Sequence, residues 1–232
     1  MKFEGDYLEQ LFRSRGIKVC VESSESHRMK IYYEPNKEVL SLNSEVKALS
    51  ERFDCLEYAI TDGKIDAINF HTNCKNINDI SSKFNSELID SIETVFDSSY
   101  KPYTLGYRLN GGRSIYFYPT VWKGTRFGIR GLTNKNVIEN QIDKFLSLIS
   151  ASNDCKRWVN NQISHIVKFK GICITNNNSY KLYYRMTSQG IRKIFTSYCD
   201  VEKYWDKYGD VVLTSINITN GEVHYFNLYF LS

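Results

Sequence analysis

Along this chain the spacing of apolar residues alternates between two periods. In residues 5–13, Tyr7, Leu8, Leu11 and Phe12 fall at helical spacing. In residues 17–22 and 28–34 apolar and polar side chains alternate one by one, which predicts two strands turning through 23–26. Pro35 and Asn36 stop that hairpin, and residues 39–53 return to helical spacing with Leu42, Val46, Leu49 and Phe53. Residues 56–61 and 65–71 alternate again about the turn signal Asp62-Gly63. Residues 77–96 carry Ile80, Phe84, Leu88, Ile92 and Phe96 at four-residue steps and predict a helix.

The same sequence of periods then repeats. A third hairpin spans 103–109 and 113–120 about Asn110-Gly111-Gly112, and a glycine-containing connection over 123–131 leads to helices at 137–149 and 154–162. A fourth hairpin turns through the polar run Asn176-Asn177-Asn178. Residues 188–208 are helical with a break near Asp200, and residues 211–218 and 223–231 form a fifth hairpin about Asn220-Gly221. Helix followed by hairpin thus recurs at a period of roughly 45 residues, a structural repeat with little residue identity between its units. Antiparallel hairpins separated by helices argue against a doubly wound parallel sheet.

In strand after strand one phase is apolar: Ile17/Val19/Val21, Met29/Ile31/Tyr33, Leu56/Tyr58/Ile60, Ile68/Phe70, Leu105/Tyr107/Leu109, Ile115/Phe117, Phe226/Leu228/Phe230. The opposite phase is small, polar, tyrosine-bearing or basic: Lys18/Cys20/Glu22, Arg28/Lys30/Tyr32, Glu57/Ala59/Thr61, Ala67/Asn69/His71, Thr104/Gly106/Arg108, Tyr116/Tyr118, Tyr225/Asn227/Tyr229. In the fourth hairpin strict alternation puts Val167, Phe169, Leu182 and Tyr184 on one face and Lys168, Lys170, Lys181, Tyr183 and Arg185 on the other. Cations gathered on one face repel one another unless an anion sits among them. The amphipathic helices need one apolar surface to cover, and the apolar phase supplies it. If the ten strands close on themselves, the helices lie outside and the polar phase lines a solvated lumen. An open sheet with helices on one face and water on the other fits the same alternation.

Bulk composition narrows the function classes. A length of 232 residues suits one domain, 1–232, and 17 Tyr with 13 Phe argue against disorder. A net charge of +4 fits an acidic ligand held locally better than a nucleic-acid surface. No apolar run approaches the eighteen or so residues of a membrane span, and the polar start MKFEGDYLEQ does not read as a signal peptide. Six cysteines without CxxC spacing read as reduced thiols of a cytoplasmic protein, with no zinc site.

The order of elements, with several short motifs, resembles the ABBA, or prenyltransferase-barrel, family, and within it the cyanobactin-type peptide prenyltransferases. The motifs are Arg28-Met29-Lys30-Ile31-Tyr32-Tyr33-Glu34, Asn110-Gly111-Gly112-Arg113-Ser114-Ile115-Tyr116-Phe117-Tyr118, Leu182-Tyr183-Tyr184-Arg185 after the asparagine run, and the closing Asn227-Leu228-Tyr229-Phe230. The resemblance implies an α+β fold, a ten-stranded antiparallel barrel of five helix–hairpin repeats with helices outside and a polar lumen. It implies transfer of a dimethylallyl or geranyl group from its diphosphate to an electron-rich side chain of a peptide, in RiPP natural-product biosynthesis. The diphosphate would be bound by Arg28, Lys30, His71, Arg108, Lys168, Lys170, Lys181 and Arg185. Tyr32, Tyr116, Tyr118, Tyr183, Tyr225 and Tyr229 would shield the allylic cation and the acceptor. Magnesium would enter only as an aid to the diphosphate, with no protein metal site, and the protein would act as a monomer.

Two departures from the family pattern stand out. Basic residues of the family's fourth strand are replaced here by Asn69 and His71, and its strand-one glutamate falls near Cys20 if that residue pairs with Arg28. Glu22 is then the first candidate for the base and Glu57 the alternative. A last strand ending at Leu231, with only Ser232 beyond, predicts an uncovered barrel mouth through which a peptide threads a side chain. Three other functions remain: a small-aromatic (indole or phenol) prenyltransferase, a non-catalytic barrel that binds a phosphorylated ligand, and a single-stranded nucleic-acid-binding module.

Overall fold

The structure, a computed structural model, describes residues 17–23, 27–33, 55–73, 86–95, 100–108, 113–119, 131–175, 178–196 and 201–231. The helices expected at 5–13 and 39–53, the first half of that at 77–96, the connection 123–130 and the turn 110–112 lie outside the described residues. The strands are β1 (Ile17–Ser23), β2 (His27–Tyr33), β3 (Cys55–Thr61), β4 (Lys64–Asn73), β5 (Tyr100–Arg108), β6 (Arg113–Pro119), β7 (Ile166–Thr175), β8 (Ser179–Met186), β9 (Val211–Thr219) and β10 (Glu222–Leu231). Among the described residues the helices are α1 (Ser86–Val95), α2 (Lys135–Leu148), α3 (Asn153–Ile163), α4 (Ser188–Phe195) and α5 (Val201–Tyr208).

Local chemistry sets the hairpins. In the turns Asp62-Gly63 and Asn220-Gly221 both central residues have positive φ, at 50° and 70° in the first and 53° and 78° in the second. That mirror-image turn matches the right-handed twist of the flanking strands, and Asp-Gly and Asn-Gly are the pairs that adopt it most readily. Each strand pairs antiparallel with its neighbour in sequence, and β1 also pairs with β10, so the sheet closes into a barrel. Closure leaves no strand with an unpaired edge.

Caps fix the helix starts. The Asn134 side-chain carbonyl accepts from the amides of Asn136 (3.1 Å) and Val137 (3.3 Å), which starts α2 two residues before its first apolar position. Ser152 Oγ caps α3 through the Cys155 amide (3.0 Å), and Thr187 Oγ1 caps α4 through that of Gly190 (3.0 Å). Beyond α4, Arg192 both pairs with Glu202 of α5 and lies 4.7 Å from the ring of Trp205, tying the two short helices together.

The core lies between the barrel wall and the helices. Ile89, Ile92, Ile138, Ile142, Phe145, Val159, Ile191 and Phe195 from the helices join Phe169, Ile172, Leu182, Tyr184, Ile216, Phe226, Leu228 and Phe230 from the strands in one buried cluster. The strand members belong to the apolar phase, so the polar phase faces the lumen. One polar bond is sealed into this core. Tyr184 Oη, on a fully buried ring, donates to Gln162 Oε1 at 2.7 Å, and Gln162 Nε2 bonds the Trp158 carbonyl at 3.3 Å. Removing the hydroxyl in Tyr184→Phe leaves a buried acceptor unsatisfied. The expected cost is about 1–3 kcal/mol of stability, read as a shift in denaturant midpoint.

The register departs from the expected one at β1 and at β7, and it also shifts within the β3–β4, β5–β6 and β9–β10 pairs. In β1 the pairs are Ile17–Tyr32, Val19–Lys30 and Val21–Arg28 on one side, and Val19–Leu231 and Val21–Tyr229 on the other. Val19 and Val21 therefore share the lumen phase with Lys30, Arg28 and Tyr229, while Cys20 and Glu22 share the phase of Met29 and Leu228. The expected pairing of Cys20 with Arg28 was one residue out. A one-residue slip exchanges the two faces of the whole strand.

The second departure is in β7. The register shifts between Ile166 and Lys168 and again between Phe169 and Gly171. Val167 consequently sits 44% exposed rather than in the apolar phase, and Lys170 is the extra residue of a bulge between the pairs Phe169–Tyr184 and Gly171–Tyr183. Leu132 adds a short bridge to this half of β7, exchanging two backbone bonds of 2.9 Å with Phe169. Gly131 permits that approach, because a Cβ there would lie 2.3 Å from the Phe169 carbonyl oxygen.

Candidate functional site

Two polar constellations stand on the lumen phase of the barrel. The first is on β2, β3 and β4 and centres on Glu57, which is 2% exposed. Its Oε1 accepts from Lys30 Nζ and from Asn69 Nδ2, both at 2.9 Å, and its Oε2 lies 3.1 Å from His71 Nε2. Register explains the gathering. Tyr32, Glu57, Asn69 and Arg108 are successive cross-strand partners, and Lys30 and His71 are the diagonal neighbours one step along. A carboxylate buried this far from water needs such donors to remain charged. Oε1 takes two donors and Oε2 faces His71, so both carboxylate oxygens are engaged.

The second constellation is on β7 and β8. Lys168 and Arg185 are direct cross-strand partners, and Lys170 projects from the bulge two residues from Lys168. Arg185 is exposed, Lys168 half-buried and Lys170 only 6% exposed, so positive charge runs from solvent into the wall. Burial, then the charges of Lys168 and Arg185, push the Lys170 ammonium down from 10.5 to about 8. Like charges placed opposite each other on paired strands are destabilising without an anion between them. Lys181, half-buried, continues the same phase of β8 and is paired with Cys173 and Asn217.

A third stretch of the wall is aromatic. Tyr183 and Tyr229 are both buried, with ring centroids 6.4 Å apart. Ser215 Oγ lies 3.3 Å from Tyr229 Oη and accepts from Asn227 Nδ2 at 2.9 Å. Tyr225, half-buried, is in register with Asn217.

The sequence candidates therefore separate. Lys30 and His71, expected around a diphosphate, are engaged by Glu57, whereas Lys168, Lys170 and Arg185 are drawn together by the β7 bulge. Glu22 pairs with His27 and Leu228, in the phase opposite to Arg28 and Tyr229, so of the two glutamates it is Glu57 that stands on the lumen phase. By backbone register Arg28 lies opposite Thr61, Arg108 opposite Asn69, Tyr116 opposite Cys173 and Tyr118 opposite Lys101. Sequence reasoning missed the β7 bulge, although a signal was there. The apolar phase jumps from Val167/Phe169 to Ile172/Ile174 across a glycine inside a strand.

Among the described residues no three or more His, Cys, Asp or Glu side chains are placed to hold a metal ion. Nor, among them, is any helix long and apolar enough to cross a membrane. No family model matches the chain, and no curated protein matches its sequence. In structure it is similar to AnaPT from Neosartorya fischeri, with a TM-score of 0.55 over 93% of this chain and 77% of that one. The two share 10% sequence identity, and the likeness is one of fold.

Proposed function

We propose that this protein is a prenyltransferase that moves an isoprenyl group from its diphosphate to an electron-rich aromatic acceptor inside the barrel. The observation that carries the reading is the Lys168–Arg185 pair with nearly buried Lys170 beside it, a site whose charges make sense around a polyanion. The fold likeness to AnaPT, an aromatic prenyltransferase, supports it at a coarser level.

In the proposed reaction the C–O bond to diphosphate breaks and its electron pair leaves with diphosphate. The cationic cluster stabilises that charge as it develops. The allylic cation is held against tyrosine faces such as those of Tyr183 and Tyr229 and away from water. A carbon or heteroatom of the acceptor supplies the electrons of the new bond and loses one proton, which Glu57 is placed to accept or to orient. A dimethylallyl or geranyl donor, a peptide acceptor and a role in RiPP maturation are the finer reading, supported by the resemblance of the strand motifs to cyanobactin-type enzymes.

The test is mass spectrometry of the protein incubated with dimethylallyl or geranyl diphosphate and a set of tyrosine- and tryptophan-containing peptides and small phenols and indoles. The expected result is an acceptor heavier by one prenyl group. Donor binding without product on any acceptor would make the barrel a non-catalytic binder instead.

A further inference from the structure

On the wall formed by β8, β9 and β10 two adjacent rows of lumen-phase residues differ in one respect. The first row is Tyr183, Ser215 and Asn227 in direct register, and in it Ser215 Oγ bonds both Asn227 and Tyr229. The second row, one step nearer the β9–β10 turn, is Lys181, Asn217 and Tyr225. Asn217 is 0% exposed, and neither its Oδ1 nor its Nδ2 has a hydrogen-bond partner among the described residues. Leaving both ends of a buried amide unpaired is costly, and an apolar residue would fill the position without that cost. The amide cannot seek partners outward. Its chain neighbours Ile216 and Ile218 are fully buried in the core beneath the helices.

The row that holds Asn217 is also the one that meets solvent. Lys181 and Tyr225, on either side, are both half-buried, whereas Tyr183, Ser215 and Asn227 are buried. Lys181 lies four residues from Arg185 on the same face of β8, so Asn217 sits about 13 Å along the wall from the outer cation. In the ring of strands β9 is nearly opposite β3 and β4, which carry Glu57 and His71.

We infer that Asn217 is an amide-reading contact of the acceptor site, its carbonyl and amino groups taking the backbone N–H and C=O of one extended residue of a peptide-like acceptor. The inference rests on the prenyl-acceptor reading above and adds the group that would make that acceptor an amide. A primary carboxamide presents a donor and an acceptor side by side. The N–H and C=O of one residue in an extended strand point to the same side and match it, as they do across an antiparallel ladder. An indole N–H satisfies only the carbonyl end, and a phenol hydroxyl, with one oxygen to donate and accept, reaches both ends only through bent bonds, so each matches the carboxamide less well than a backbone amide.

Two probes with the same phenol ring test this on the full chain: N-acetyl-tyrosine N-methylamide and 4-ethylphenol, titrated by calorimetry against wild type and Asn217→Leu. Wild type is expected to bind the amide about tenfold or more tightly than the phenol. In Asn217→Leu that ratio should fall to about twofold or less, with no loss of thermal stability, since the removed amide had no partner. Asn217→Ala gives the same comparison if the leucine variant does not fold. An amide preference that survives in the variants, no preference in wild type, or a marked drop in melting temperature in both variants overturns the inference. Inorganic diphosphate titrated in parallel separates the two readings. Diphosphate binding without amide preference removes Asn217 and keeps the donor site, and amide preference without diphosphate binding does the reverse.

Discussion

Glu57→Gln is expected to slow prenyl transfer by about 10²–10⁴-fold, the usual contribution of a positioned general base, while leaving diphosphate affinity unchanged. The substitution keeps the shape of the site. A glutamine carbonyl still accepts from Lys30 and Asn69, and its amino group faces His71 Nε2, which becomes an acceptor in the other neutral tautomer. What disappears is the oxygen able to take a proton. Lys30, 20% exposed, loses its counter-ion but keeps contact with solvent, so stability should change little compared with the rate. Glu57→Ala should behave differently, because it leaves buried His71 and Asn69 without their partner and destabilises the fold as well. The check is a single-turnover rate at saturating donor, with diphosphate affinity measured by calorimetry. A Glu57→Gln rate within about threefold of wild type would remove Glu57 from the proton's path.

Arg185→Ala and Lys168→Ala are each expected to weaken binding of the donor diphosphate by about 1.5–3 kcal/mol, the range for charge-assisted hydrogen bonds. The effect should reach inorganic diphosphate equally, since the contact is to the leaving group. A pH signature accompanies it. Lys170 is held at about 8 by burial, then by Lys168 and Arg185. In the free protein it loses its proton as pH rises through 8, and diphosphate affinity should fall across that interval. Removing Lys168 or Arg185 takes away a cation that lowers the Lys170 value, so the fall should move to higher pH in either variant. The same shift acts on stability with a definite sign. Between about 8 and 10.5 the unfolded chain holds a proton on Lys170 that the native chain has released, so stability rises with pH over that window, and below it the penalty of burying the charge is complete. Calorimetry with inorganic diphosphate at several pH values, on wild type and both variants, tests all of this. Wild-type affinity in Arg185→Ala and Lys168→Ala would take the diphosphate off β7 and β8.

How far the site could be read in advance depended on how each residue reaches it. Tyr183, Tyr229, Glu57 and His71 were legible as members of one polar phase. The cross-strand partners of Tyr229, Glu57 and His71 were not, because the register shifts between the Asp62-Gly63 and Asn220-Gly221 turns and these residues. Lys168 and Arg185 were legible as cations sharing a face. Their direct pairing, and the burial of Lys170 beside them, depended on a bulge. The phase of Glu22 could not be read from β1 alone, because both phases look acceptable in isolation: Val19 and Val21 suit a core, and Lys18 and Glu22 suit water. The partners on both sides, Arg28 in β2 and Tyr229 in β10, set the register position of Val21 and with it the phase of the strand.

What the sequence determined by itself was local. Period-two and period-3.6 patterns, Asn-Gly and Asp-Gly turns and capping residues act over a few positions, so the alternation of hairpins and helices and the existence of one polar phase were legible residue by residue. The tertiary structure decided what depends on residues far apart in the chain. It joined β1 to β10, set the register of each pair to within one residue, and brought Lys30, Asn69 and His71 onto one carboxylate. The physical reason is that strand alternation repeats every two residues. A slip of one position costs nothing locally and reverses a whole face, so only the packing of both neighbouring strands against a shared core selects the register.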